Sequence, residues 1–186
     1  KALVTDVTGI KGISVPPELD GAHVVNLVVS DIGDIWVSFR GIGLYRLSKG
    51  EWVRITPHSK TDDWVAIDHA GAVWLLRPGP SVLRIAGDEQ TEIPFDVELG
   101  GARATLADPE GLIVVADRGV AHFDGIAFRS LSRSRTRIFD LSFGIVRAPD
   151  ESIWIGTLAG IVRVQKDAFL KALTNAEASL DFQLLD

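Results

Sequence analysis

Four segments of the chain repeat one pattern, an acidic turn that leads into an apolar strand. They are Asp31-Ile-Gly-Asp-Ile-Trp36-Val, Asp68-His-Ala-Gly-Ala-Val-Trp74-Leu, Asp108-Pro-Glu-Gly-Leu-Ile-Val114-Val and Asp150-Glu-Ser-Ile-Trp154-Ile. Anchored on Trp36, Trp74, Val114 and Trp154, the repeats stand 38, 40 and 40 residues apart. Such a period constrains the fold more than any local motif, because stacked units bury a core that no single unit buries alone.

Each unit breaks into short runs rich in Val, Ile, Leu, Trp and Phe, separated by Gly, Asp and Pro, which is the signature of strands joined by tight turns. The runs are 24–29, 34–39, 43–47 and 51–56, then 64–68, 72–76, 82–85 and 89–95, then 102–107, 112–116, 119–123 and 127–131. The last unit gives 144–148, 152–157 and 161–164 before the pattern breaks. There Phe169, Leu170 and Leu173 fall at helical spacing behind a candidate Asp cap, and 181–185 supplies a closing strand. The fold expected is all-β, a β-propeller section of about four four-stranded blades plus a partial N-terminal blade, with one short helix near the C-terminus. The whole of 1–186 forms one section, with 1–20 the end of a preceding blade, 21–57, 58–97 and 98–132 three blades, and 133–186 a blade with the helical insert.

Composition narrows the function. The chain has 186 residues, 46% of them apolar, and 25 acidic against 19 basic side chains, so its net charge of −6 disfavours nucleic acid and anionic lipid as partners. Without cysteine there are no disulfides, thiolate metal sites or cysteine nucleophiles. No apolar stretch is long enough to cross a membrane as a helix, and Lys1 to Gly12 does not read as a signal peptide. A chain without Met reads as a processed or excised piece, whose ring closes with the remainder of the same polypeptide or with a second copy.

The segment Ala148-Pro-Asp-Glu-Ser-Ile-Trp-Ile-Gly-Thr-Leu-Ala-Gly-Ile-Val-Arg-Val164 resembles the blade motif of the two-component regulator propellers, and 31–47 is a second good copy. The unit at 68–85 keeps the Trp but has Leu76-Arg77 in place of Gly-Thr, and the unit at 108–123 has Val114 in place of the Trp. The resemblance implies a periplasmic, ligand-sensing region of a bacterial histidine kinase or diguanylate cyclase, with the output domain outside this chain and no catalysis within it. The rival readings are a protein-binding scaffold and a propeller lyase or glycosidase.

Asp31, Asp68, Asp108 and Asp150 read as turn-forming residues that accept backbone amides, and Trp36, Trp74 and Trp154 as packing contacts between blades. No spacing suits a metal, and no cofactor is expected. The candidate ligand residues are arginines. Arg40, Arg77 and Arg118 fall in the turns between the second and third strands of three blades, and the loop 129–137 adds Arg129, Arg133, Arg135 and Arg137. Together they would hold an anionic small molecule or an acidic glycan. The bland alternative is a solvated rim balanced by Asp34, Asp117 and Asp140. A second basic series, Arg46, Arg84, His122 and Arg163, lies in the third strands and reads as paired structural residues. For an enzyme only His58 and His69, flanking one blade junction, are candidates.

Overall fold

A computed structural model describes residues 2–6, 9–56, 62–109, 111–175 and 177–185. The chain divides into two compact units, 1–63 and 64–186. The candidate His58 lies outside the described residues.

The first unit opens with an antiparallel pair, β1 (Ala2–Asp6) and β2 (Gly9–Ile13). A four-stranded antiparallel meander follows: β3 (Val24–Val29), β4 (Ile35–Phe39), β5 (Gly43–Ser48) and β6 (Glu51–Arg54). Alternation puts Val37, Phe39 and Tyr45 on one face, where they pack on Leu19 and Trp52. The indole of Trp52 donates to the Ser14 carbonyl at 2.8 Å, fixing the chain that enters the sheet.

The second unit contains three further four-stranded meanders. Sheet two is β7 (Trp64–Ile67), β8 (Val73–Leu76), β9 (Ser81–Ala86) and β10 (Glu89–Pro94). Sheet three is β11 (Ala102–Asp108), β12 (Gly111–Ala116), β13 (Gly119–Phe123) and β14 (Phe128–Ser132). Sheet four is β15 (Gly144–Arg147), β16 (Ser152–Thr157), β17 (Gly160–Gln165) and β18 (Phe182–Leu185), with α1 (Lys166–Thr174) between its last two strands. The innermost strand β11 packs against both β7 and β15, the arrangement of propeller blades.

The core lies between sheets, and the period of two along each strand decides which residues enter which layer. Ala66, Trp74, Leu76 and Val82 of sheet two pack on Leu112, Val114, Ala116, Ala121 and Phe123 of sheet three. Ile113, Val115 and Val120, on the other face of sheet three, pack on Ile153, Ile155, Val162 and Val164 of sheet four. Helix α1 adds Phe169 and Leu173 to that layer, where Phe169 meets Phe139 edge-on at 6.4 Å. Its N-cap is Gln165 without a side-chain cap bond, whereas the expected Asp cap, Asp167, sits inside the first turn.

One sequence anchor is displaced. Trp36, Trp74 and Trp154 pair with Val28, Ala66 and Val146 on their first strands and with Arg46, Arg84 and Arg163 on their third. In sheet three the residue in that position is Ile113, which pairs with Leu106 and His122, and Val114 faces sheet two instead. The cause is the turn after Asp108, which is one residue shorter than its counterparts, and a single-residue slip transfers a side chain to the opposite face.

Trp74 is fully buried and Trp36 nearly so, while Trp154 is half-exposed. The face of sheet four that carries Trp154 also leaves Val146 and Ile161 exposed, with the Phe143 ring lying over Gly156.

The short turn depends on Gly111, whose φ is +145° and whose Cβ, if present, would collide with the Phe123 carbonyl oxygen. Gly111→Ala is expected to destabilise the second unit by more than about 3 kcal/mol in urea unfolding. Gly125→Ala, at a positive φ of +93° but in open space, should cost only about 1–2 kcal/mol.

Candidate functional site

The repeated polar feature of the sheets is a tryptophan, an arginine and a carboxylate. In sheet two the guanidinium of Arg84 lies over the Trp74 ring at 5.6 Å. Asp68, at the start of the β7–β8 turn, accepts the Trp74 Nε1–H at 2.8 Å on Oδ2, and the amides of Ala70 and Ala72 on Oδ1. In sheet four Arg163 covers Trp154 at 5.6 Å and donates to Asp150 at 2.7 Å, while the Ser152 hydroxyl accepts the indole N–H. Sheet one has Arg46 over Trp36 with Asp34 at 3.9 Å. Asp31, expected as the turn-forming acid of this repeat, is exposed, and the carboxylate beside the arginine is that of the buried Asp34, immediately before Ile35.

In sheet three the carboxylate is Asp108, only 1% exposed, and it turns to the neighbouring sheet. Arg147 donates to it at 2.8 Å and the Lys166 ammonium lies at 3.0 Å. Two cations thus offset the cost of burying one anion.

The turn arginines are consumed by their own surroundings. Arg40 makes two 2.7 Å bonds to Asp62 within the first unit, and Arg77 donates to Glu92 at 2.7 Å. Arg118 reaches the Val97 carbonyl, and its backbone bridges to Asp140, whose carboxylate lies 3.1 Å from Arg133. Arg135 donates to the carbonyls of Ala172 and Asn175, at the end of α1 where the helix carries its negative pole. Arg137 is exposed. Arg129 is not in the loop but in β14. It pairs with His122 and reaches Asp124 at the opposite end of the sheet from Arg118, because the strand alternates direction with its neighbours. Of the balancing acids expected, Asp140 pairs with the loop arginine Arg133, whereas Asp117 pairs with Arg103 and Asp34 lies by Arg46.

A cleft of about 780 Å³ opens between sheets two and three, at the end away from those turns. Its walls come from the β7–β8 turn (Asp68, His69, Ala70), from β9 and β10 (Arg84, Thr91, Ile93), and from the two turns of sheet three that hold Asp108 and Asp124. Phe123 and Ile93 are its buried apolar part, and Ile126 at its lip is 86% exposed. The Asp124 carboxyl is held below the usual carboxylate range by the amides of Ala127 and Ile126, with Arg129 adding to the effect. The sequence brings His69 to this cleft, but the signal for Arg84 was only its alternation with Trp74, which a purely structural residue shares.

No family model matches the chain, and no curated protein matches it. Its fold is found in solved structures. The extracellular domain of BT3049 from B. thetaiotaomicron, assigned as a hybrid two component system, matches over 89% of this chain and 22% of its own, at 16% identity and a TM-score of 0.68. The extracellular domain of BT4673 from the same organism, assigned as a one component system, matches over the same shares at 16% identity and a TM-score of 0.61. PorZ of Porphyromonas gingivalis, a surface component of the type-IX secretion system, matches over 78% of this chain and 26% of its own, at 12% identity and a TM-score of 0.58. The chain therefore spans about a quarter or less of each of these structures, and at such identities the likeness shows the fold.

Two variants test the polar motif. Asp68→Ala leaves the indole N–H of a fully buried Trp74 and two amides without their acceptor, and is expected to cost about 2–3 kcal/mol by urea unfolding. Asp150 is brought down from 3.8 to about 2 by the Ser152 hydroxyl and amide, and then by Arg163. Its folded value lies below its unfolded one, so its stabilising effect is present above the ordinary carboxylate range and is lost as pH falls through about 2. Carboxyl carbon shifts followed by NMR should show that depressed midpoint, and Arg163→Gln should move it upward.

Proposed function

We propose that this chain is the ligand-recognition part of an extracytoplasmic bacterial sensor, non-catalytic in itself, and that it recognises its ligand in the cleft between sheets two and three. The observation that carries the proposal is the make-up of that cleft: its walls belong to two adjacent sheets, so an occupant touches both and favours one packing of the sheets over another. The likeness to extracellular domains of two component and one component systems supports a sensory setting. A small molecule suits the cleft by size. Ligand capture by the turn arginines is the weaker version, because Arg40, Arg77 and Arg133 would first have to release Asp62, Glu92 and Asp140.

The rival, a protein-binding scaffold, draws on the exposed Phe143, Val146 and Leu158. The two readings separate in one experiment. A panel of small soluble compounds is screened by thermal shift against the chain and against Thr91→Trp, which places a large side chain at an exposed position of the cleft wall. A ligand at 100 times its Kd should add about 2.7 kcal/mol, a rise in Tm of several degrees, and that rise should vanish in the variant. A rise that survives in Thr91→Trp would place recognition elsewhere.

A further inference from the structure

We infer that the cleft between sheets two and three is a carboxylate site, with Arg84 as the anchor and an acid borne on an apolar body as the ligand; the inference rests on the reading of that cleft as the ligand site. It follows from which polar groups of the cleft are already engaged. The acceptors are. Asp68 takes two amides on one oxygen and the Trp74 indole on the other. Asp124 takes the amides of Ile126 and Ala127 on one oxygen and faces Arg129 with the other. Asp108 is held by Arg147 and Lys166.

The donors of Arg84 face Asp68 as an ion pair but make no hydrogen bond. Among the described residues Arg84 makes no hydrogen bond: its Nε is buried without a partner, and the Asp68 oxygen nearest it stands 3.7 Å away, beyond bonding distance. The arginine in the same position of sheet four, Arg163, donates to Asp150, Ser152 and Gln183. Arg84 thus keeps the four N–H donors of its two terminal amino groups in a rigid plane, oriented by the Trp74 ring beneath it and bordering an open cleft. Thr91 and His69, both exposed on the wall, add a hydroxyl and an imidazole.

Unused donors in a recess call for acceptors, and the planar fork of a guanidinium matches a carboxylate by two parallel bonds. Among the described residues of the cleft, a cationic ligand finds no carboxylate without a partner. The rest of the lining is apolar: Ile93 and Phe123 inside, Pro109 and Ile126 at the lip. That surface gives an aryl or branched alkyl group somewhere to lie, and the exposed Ile126 loses water when it does. The class that meets both demands is a monocarboxylic acid with an apolar body.

Phenylacetate and its neutral counterpart phenylacetamide are the probes, titrated into the chain labelled with nitrogen-15. The readout is the indole N–H signal of Trp74, which lies under Arg84 and bonds to Asp68. Phenylacetate is expected to move that signal saturably, and the amide, which lacks the charge, should bind at least about tenfold more weakly. Arg84→Gln should lower affinity for the acid by at least about tenfold, with Arg84→Lys between the two. Equal binding of acid and amide, or a Trp74 signal that the acid leaves unmoved, would overturn the inference; both are read on the unaltered chain, so they stand even if Arg84→Gln unfolds. Should compounds of another class move the Trp74 signal while phenylacetate does not, the carboxylate assignment falls and the cleft survives as a ligand site. If none of the panel moves it, both fall.

Discussion

Sheet-on-sheet packing governs everything else in this molecule. Each meander has two faces, and each face must find an apolar partner: the Trp74 face of sheet two against Val114 and Phe123, and the Ile113 face of sheet three against Ile153 and Ile155. Hydrogen bonding within a meander is satisfied whichever face looks which way, so it cannot choose. The choice comes from the apolar area each face withdraws from water, about 25 cal/mol for every Å². Aromatic rings reinforce it where they meet, with Trp74, Phe123 and Phe128 mutually within 4.7–5.7 Å between sheets two and three.

Charge is arranged around that packing. A tryptophan facing the next sheet carries an N–H that must be satisfied at the sheet edge, and a nearby turn supplies the acceptor: Asp68 directly, or Ser152 held by Asp150. The same carboxylates draw in the third-strand arginine, whose guanidinium lies over the indole. Arg84 and Arg163 therefore share one position and differ in what they bond: Arg163 donates to Asp150, Ser152 and Gln183, whereas Arg84, like Arg46, keeps a buried Nε without a hydrogen-bond partner.

Much of this was legible in the sequence. The strands begin and end within two residues of where Gly, Asp and Pro punctuate the chain, and the helix follows Phe169 and Leu173. The resemblance to a sensory propeller agrees with the fold of the solved neighbours. The misses have a common origin, in that sequence spacing does not show which side chains meet. Val114 stood in for Ile113 because the shortened turn after Asp108 is invisible without a register. The partners of the arginine series were hidden for the same reason: Asp62 and Glu92, 22 and 15 residues from Arg40 and Arg77, come back beside them only on folding. Asp167 reads as a cap in the sequence, but the helix begins two residues earlier, straight from β17, with Gln165 as its N-cap.

The buried Asp108 has a mechanical consequence. Its two cations come from different elements of sheet four, Arg147 at the end of β15 and Lys166 at the first turn of α1. Peeling either element away alone strands a carboxylate that water does not reach, while the other cation stays bound to it. The strand and the helix are thereby joined through one buried point, and that point is the carboxylate in the turn that lines the cleft.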